Sequence, residues 1–209
     1  MRDIPIFTTE KGIASLVLSQ IPYTYKAYIR IQDTMDGAEF LKECVSFCVS
    51  AGAESVYATG HSLCENYPVY TSVLEMRADL SAIAETDAAL FPVTDQTAEY
   101  WREIYNKKVC SVPAGSWMTM QDAKKMTDGY FIHRNGELLG IGKASADKIH
   151  WVASCADGAG KDVLCALCHA LTGDTVTLEV ASANTKAIRL YEKLGFILTK
   201  EILKWYQVK

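Results

Sequence analysis

NTKAIRLYEKLGF, residues Asn184–Phe196, is the stretch that decides the fold. Ala187, Leu190, Tyr191 and Leu194 recur at spacings of three and four, so they share one face of a helix of about three turns. Asn184 is placed to cap its start. Lys193 lies in the last turn, where the dipole favours a cation, and Gly195 stands where a helix ends on a left-handed residue. The preceding run, TVTLEVAS (Thr175–Ser182), predicts the strand that feeds the helix.

Working upstream, GYFIHR, Asn135-Gly136 and ELLGIGKAS predict a hairpin, because Asn-Gly suits the turn that right-twisted strands prefer. IHWVAS predicts a third strand, CADGAG a glycine-bearing loop, and KDVLCALCHAL a helix. PVTDQTAEYWREIYNKKV (Pro92–Val109) predicts an N-capped amphipathic helix ahead of them, and ILTKEILKWYQV a last strand. The order is helix, three antiparallel strands, helix, strand, helix, strand, a mixed α/β class. The N-terminal half, to about Ala84, echoes that order with KAYIRIQ, DGAEFLKECVSFCVSAGA, SVYATG and TSVLEMRADL. No glycine loop precedes its helix and nothing in it matches NTKAIRLYEKLGF. The expected division is 1–84 and 88–209, across the polar, alanine-rich link Ser81–Ala89.

The 209 residues suffice for a substantial core, and 49% apolar with 22% charged residues is ordinary globular composition. A net charge of −4 offers no broad basic face for nucleic acid or anionic lipid. MRDIPIFTTEKG has no apolar run of signal-peptide length and no stretch is long enough to cross a bilayer, so a cytoplasmic address is expected. The seven cysteines then read as small buried apolar residues, Cys44 and Cys48 and then Cys165 and Cys168 falling at helical spacing. Cys165-Ala-Leu-Cys168-His169 has the haem-attachment spacing, but inside an apolar helix it predicts core packing, and no metal is expected.

Asp157-Gly158-Ala159-Gly160-Lys161 between a strand and a helix offers backbone N–H groups and a positive dipole end to an anion. It is neither a Walker loop, lacking Gly-Lys-Ser/Thr, nor a full dinucleotide fingerprint, since Val163 stands at the last glycine position. Together with the opening motif, this loop resembles the GNAT superfamily, the GCN5-related acyl-CoA N-acyltransferases. That family carries N-x-x-A-x-x-L-Y-x-x-x-G-F, matched by Asn184, Ala187, Leu190, Tyr191, Gly195 and Phe196, and Q/R-x-x-G-x-G/A, matched by Gly158 and Gly160 with Cys155 at the Gln/Arg position. The resemblance covers about residues 90–209 and leaves the first half as an α/β extension like half a GNAT domain.

It implies a sheet splayed between its fourth and fifth strands, with acetyl-CoA as co-substrate in the gap. Pantetheine would lie along Val152, Ala153 and Ser154, the pyrophosphate on amides of Gly158, Ala159, Gly160, Lys161 and Asp162, and Asn184 and Ala187 would border the arm. Asp157 would bring a negative charge towards those phosphates, with Lys161 to offset it. The acceptor would be a primary amine of a small molecule or peptide, and a homodimer is left open.

Tyr191 would give the departing sulfur a proton, since an ordinary tyrosine is protonated at neutral pH. Its alternative role is packing under the helix with the hydroxyl bonded to backbone. Glu179 sits at an offset similar to the glutamate and tyrosine pair of the ribosomal-protein N-terminal acetyltransferases; facing the cleft it is a base, facing away a salt-bridged strand residue. Relatives place substrate contacts near Trp117, Tyr130, His133 and Trp151, yet strand aromatics read as core and lone His133 and His150 as satisfied surface or core residues. Two other classes remain: a non-catalytic GNAT-fold module, which Cys155 and Asp157 favour, and a nucleotide-phosphate enzyme using the glycine loop.

Overall fold

A computed structural model describes residues 2–110 and 112–209. The chain forms two compact units, Met1–Ser72 with Ile202–Lys209, and Val73–Glu201.

In chain order the N-terminal unit holds β1 (Ile4–Thr9), β2 (Gly12–Val17), the single turn α1 (Ile21–Thr24), β3 (Lys26–Thr34), α2 (Gly37–Ser50) and β4 (Ser55–Thr59). β1, β2 and β3 are antiparallel neighbours, and β3 and β4 run parallel, registered from Lys26↔Ser55 to Arg30↔Thr59 over the whole of β4. α2 starts where the Asp36 side chain accepts from the Glu39 N–H at 3.3 Å, and it buries Phe40, Leu41, Cys44 and Cys48 against Ile29, Ile31, Val56 and Ala58. After the 3-10 turn Ser62–Asn66, β5 (Val69–Asp79) carries the chain out of this unit. The β1–β2 hairpin was not foreseen: residues 4–17 lack both a regular alternation and a strong turn dipeptide.

The C-terminal unit takes up β5 at Val73 and continues with β6 (Ala89–Pro92), α3 (Ala98–Val109), α4 (Met120–Lys125), β7 (Gly129–Arg134), β8 (Glu137–Ser145), β9 (Lys148–Ser154), α5 (Gly160–His169), β10 (Thr175–Ala181), α6 (Thr185–Lys193) and the start of β11 (Ile197–Gln207). β6 to β9 pair antiparallel in sequence, β9 and β10 meet parallel, and β10 is paired along its length with β5, Thr175↔Asp79 to Ala181↔Val73. One face of this sheet packs on α5 and α6 through Val163, Leu164, Leu167, Leu178 and Tyr191; Trp101, Tyr105, Met118, Phe131 and Ile141 form a second core beneath α3 and α4.

The Asn135-Gly136 turn has positive φ at both residues, 51° and 83°, as the type I′ geometry demands. The helix expected from Pro92 starts only at Ala98, because Leu90 to Pro92 pair with β7 and the Thr94 to Thr97 turn intervenes. The units divide within β5 at Ser72/Val73 rather than in the Ser81–Ala89 link, since Val73–Asp79 is committed to β10 and the end of β11 pairs with β4 (Tyr206↔Ala58, Gln207↔Tyr57). All seven cysteines are free; Cys165 and Cys168 are each 1% exposed in the α5 core, and burial pushes the Cys168 thiol up to about 12.

Candidate active site

The parallel contact of β9 with β10 covers only Thr177↔Lys148 and Leu178↔Ile149, extended by the Thr177 N–H to the Asp147 carbonyl at 2.8 Å. Beyond Ile149 and Leu178 the strands part. The cause is local to β9. Its β8 partner pairs Ala144 with Ile149 but Lys143 with Trp151, so His150 is an extra residue that bends the strand as pairing with β10 ends. Each strand stays held on its outer side, β9 by β8 and β10 by β5, so the inner edges remain open.

The gap is a cavity of about 260 Å³ with Val152 and Ala153 on one wall, Leu178 to Ala181 on the other, Tyr191 and Asn184 from α6, and Tyr105, Lys108 and Val112–Ser116 from α3 and its following loop. The Cys155 N–H donates to the Leu139 carbonyl at 2.7 Å, and main-chain groups alternate sides along a strand. Val152 and Ser154 therefore turn their N–H and C=O groups away from β8, Val152 into the cavity and Ser154 just past it, and Ala153 spends its own on β8 and contributes only its methyl.

Tyr191 is held by the end of its helix. Phe196 N–H bonds the Tyr191 carbonyl at 3.0 Å and Gly195 N–H the Glu192 carbonyl at 3.1 Å, around Gly195 at φ 90°, a complete Schellman turn. The accompanying apolar contact is Phe196 on the Tyr191 ring, centroids 6.0 Å apart. At the other end the Asn184 side chain accepts from the Ala187 N–H at 3.3 Å. Tyr191 is 7% exposed, burial pushes its pKa up to about 12, and no described residue hydrogen-bonds its hydroxyl. The hydroxyl is thus not tied to backbone, the packing role weighed for it.

Glu179 lines the cavity and is also salt-bridged, to Lys148 Nζ. Directly across the ladder stands Glu75, whose carboxyl is lowered by the Thr199 hydroxyl at 2.9 Å and by Lys200 at 3.4 Å. The two carboxylates are tolerated side by side because each has its own lysine.

The glycine loop lies outside the cavity lining, at the start of α5. Gly158 takes φ 76°, and the N-cap is Ala159, which has no side chain to satisfy the first N–H groups. Those of Gly160, Lys161 and Asp162 remain for an external acceptor. A Cβ on Gly160 would sit 2.9 Å from Leu190 Cδ2, so the loop and α6 pack closely. Asp162 does not set its charge against such a guest: it binds Arg134 Nη2 at 2.8 Å and the Thr86 hydroxyl at 3.3 Å. Asp157 and Lys161 are both exposed, and Ala187 packs into the core beneath α6.

The cavity therefore unites Val152, Ala153, Glu179, Asn184 and Tyr191, and leaves Ser154, Ala187 and Gly158–Asp162 beyond its lining. Of Trp117, Tyr130, His133 and Trp151, only Trp151 borders it, edge-on to Tyr105 at 5.1 Å; Trp117 and His133 line other hollows, and Tyr130 packs into the core. Sequence reasoning missed Lys108 and Val112–Ser116, which carry no motif; His150, read as a satisfied surface or core residue, is exposed and bonded to the Ser145 hydroxyl, and it also lines the cleft. Burial, then Lys143 and Lys148, hold its pKa below the usual value. Among the described residues no group of three His, Cys, Asp or Glu side chains could hold a metal ion, and no helix is long and apolar enough to cross a membrane.

Residues 156–205 match the model of the family described as FR47-like protein. No curated protein matches. Among solved structures, a functionally unknown conserved protein from Staphylococcus epidermidis superposes with TM-score 0.64 at 13% identity, over 99% of this chain and 94% of that one. A GCN5-related N-acetyltransferase from Sphaerobacter thermophilus gives 0.56 at 15%, over 94% and 76%. An acetyltransferase from the GNAT family from Colwellia psychrerythraea gives 0.54 at 12%, over 98% and 84%. At such identities the structures speak for the fold alone: the chain has the fold of these GNAT acetyltransferases, and its residues 156–205 are similar to the FR47-like family.

Proposed function

We propose that the protein is an acyl-CoA-dependent N-acyltransferase that moves an acetyl group to a primary amine of a small molecule or peptide. The observation that carries the reading is the opening between β9 and β10, which exposes main-chain groups along one wall and the Tyr191 hydroxyl at the other. Acetyl-CoA, the co-substrate the family implies, supplies an activated acyl carbonyl. The residues fit it: Val152 and Ser154 offer a strand edge to an amide-bearing arm, and the uncapped start of α5 offers Gly160 to Asp162 amides to its phosphates. The Val152 N–H, aimed into the opening, would polarise a carbonyl oxygen.

Tyr191 is the general acid of this scheme. With a pKa near 12 it carries its proton at neutral pH. That proton is held more tightly than a thiol's, at about 8.5, so the hydroxyl acts chiefly by a hydrogen bond to the leaving sulfur. Glu179 attracts the acceptor's nitrogen at the cavity wall. Two cleft groups are able to take its proton, Glu179 and His150. The free cysteines suit a cytoplasmic setting.

Acetyl-CoA at a hundredfold excess over Kd should stabilise the protein by about 2.7 kcal/mol, a rise in Tm of roughly 5–10 °C. Thiol release with an aminoglycoside, a polyamine, a free amino acid and a short peptide then identifies the acceptor class. A shift with ATP or NAD in place of acetyl-CoA would move the protein to the nucleotide-phosphate class. Binding without thiol release from any amine would leave the non-catalytic module.

A further inference from the structure

We propose that His150 takes the proton from the acceptor amine during acyl transfer, with Ser145 as the residue that positions its ring. The proposal rests on the acyltransferase reading and concerns a histidine that no motif singles out.

His150 is the extra residue of the β9 bulge, so it stands where the two strands begin to part and borders the cavity shared with Glu179 and Tyr191. Its Nε2 lies 2.9 Å from the Ser145 hydroxyl oxygen on β8. When Nε2–H donates to that oxygen, the ring's lone pair is on Nδ1, and no described residue hydrogen-bonds that atom. The competing base is already engaged, since the Glu179 carboxylate receives Lys148 Nζ. Glu179 is then the group that draws an amine to the wall, and the imidazole beside it receives the proton.

The charges around the ring keep it in the form a base needs. Lys143 of β8 and Lys148 of β9 oppose its protonation, burial does so more strongly, and Glu179 of β10 and Asp128 ahead of β7 pull the other way. The outcome is a pKa lowered from 6.5, so the ring is neutral at pH 7.

The step balances. The amine arrives neutral; as its nitrogen bonds the acyl carbon and the carbon–sulfur bond breaks, sulfur leaves with the bonding pair and nitrogen loses one proton to Nδ1. The imidazolium so formed is a stronger acid than a thiol of pKa about 8.5, so the proton passes through water to the thiolate and the ring is restored.

Two measurements on the full chain test this. In histidine 15N NMR without ligand, with the His150 signals assigned by their loss in His150→Gln, the ring should be neutral at about pH 7.5, carry its proton on Nε2, and lose that tautomer bias in Ser145→Ala. In thiol release with the most active amine, His150→Gln should lower kcat about 100-fold and flatten the acid limb of the kcat profile, leaving CoA affinity unchanged. Ser145→Ala should fall in between. A ring protonated on Nδ1, or His150→Gln turning over at the wild-type rate, overturns the proposal while the acyltransferase reading stands. A wild-type chain that neither binds CoA nor releases thiol overturns both.

Discussion

The Tyr191 ring is sealed against Phe196 while its hydroxyl has no hydrogen-bond partner among the described residues. Removing that oxygen breaks no protein hydrogen bond, so Tyr191→Phe should melt within a degree or two of the wild type while kcat falls about 100-fold. A thermal melt beside a thiol-release assay checks both halves. The pH dependence has a definite sign. The folded pKa of about 12 lies above the unfolded value near 10, so stability from the buried neutral phenol is whole below pH 10 and is lost as pH rises towards 12. Urea unfolding at pH 8 and pH 11 should show a gap between wild type and Tyr191→Phe that moves in the variant's favour at the higher pH. Tyr191 and Asn184 were legible because a motif names them; His150 was not, because what distinguishes it is a bulge, and bulges depend on the partner strand.

At the scale of elements, α6 shows why the motif has its spacing. Asn184 satisfies the first turn and Gly195 lets Phe196 fold back onto Tyr191, so cap, ring and turn hold one side chain at the cleft. Gly195→Ala forces a Cβ into φ 90° and should cost about 1–2 kcal/mol, or roughly 2–8 °C in Tm, although nothing lies within 4 Å of the new methyl. Acetyl-CoA turnover should decline with it if Tyr191 is displaced, which a comparison of kcat at 20 °C with the melt would reveal. The helices and hairpins of the C-terminal half were readable from period and turn chemistry. β6 and α4 were not: four residues that include a proline give no strand period, and the Thr119–Asp122 capping box opens a helix of only six residues.

At the scale of the whole molecule, the repeated order of elements does not repeat the site. In the N-terminal unit the parallel strands β3 and β4 are registered over five consecutive pairs, where β9 and β10 have two, and its helix begins with the Asp36 carboxylate already on the Glu39 amide. Among the described residues that register leaves no gap, and a carboxylate of the chain itself stands where an anion would. Isothermal titration with CoA should therefore give one equivalent per chain; two would mean that β3 and β4 open in solution. That the halves echo each other was visible in element order, whereas the closed register of one and the open register of the other could be seen only with the strands paired.

The strand that completes the N-terminal unit is synthesised only after the whole of Val73–Glu201. β4 waits for Tyr206 and Gln207, so during translation its outer edge stays bare while everything from Val73 onward is made, on the order of ten seconds at ribosomal speed. A nascent chain in that interval presents an unpaired ladder to any passing strand, and a stop codon before Ile202 would make the exposure permanent. Premature termination at the tail should thus yield insoluble protein even though every residue of the cleft has been translated.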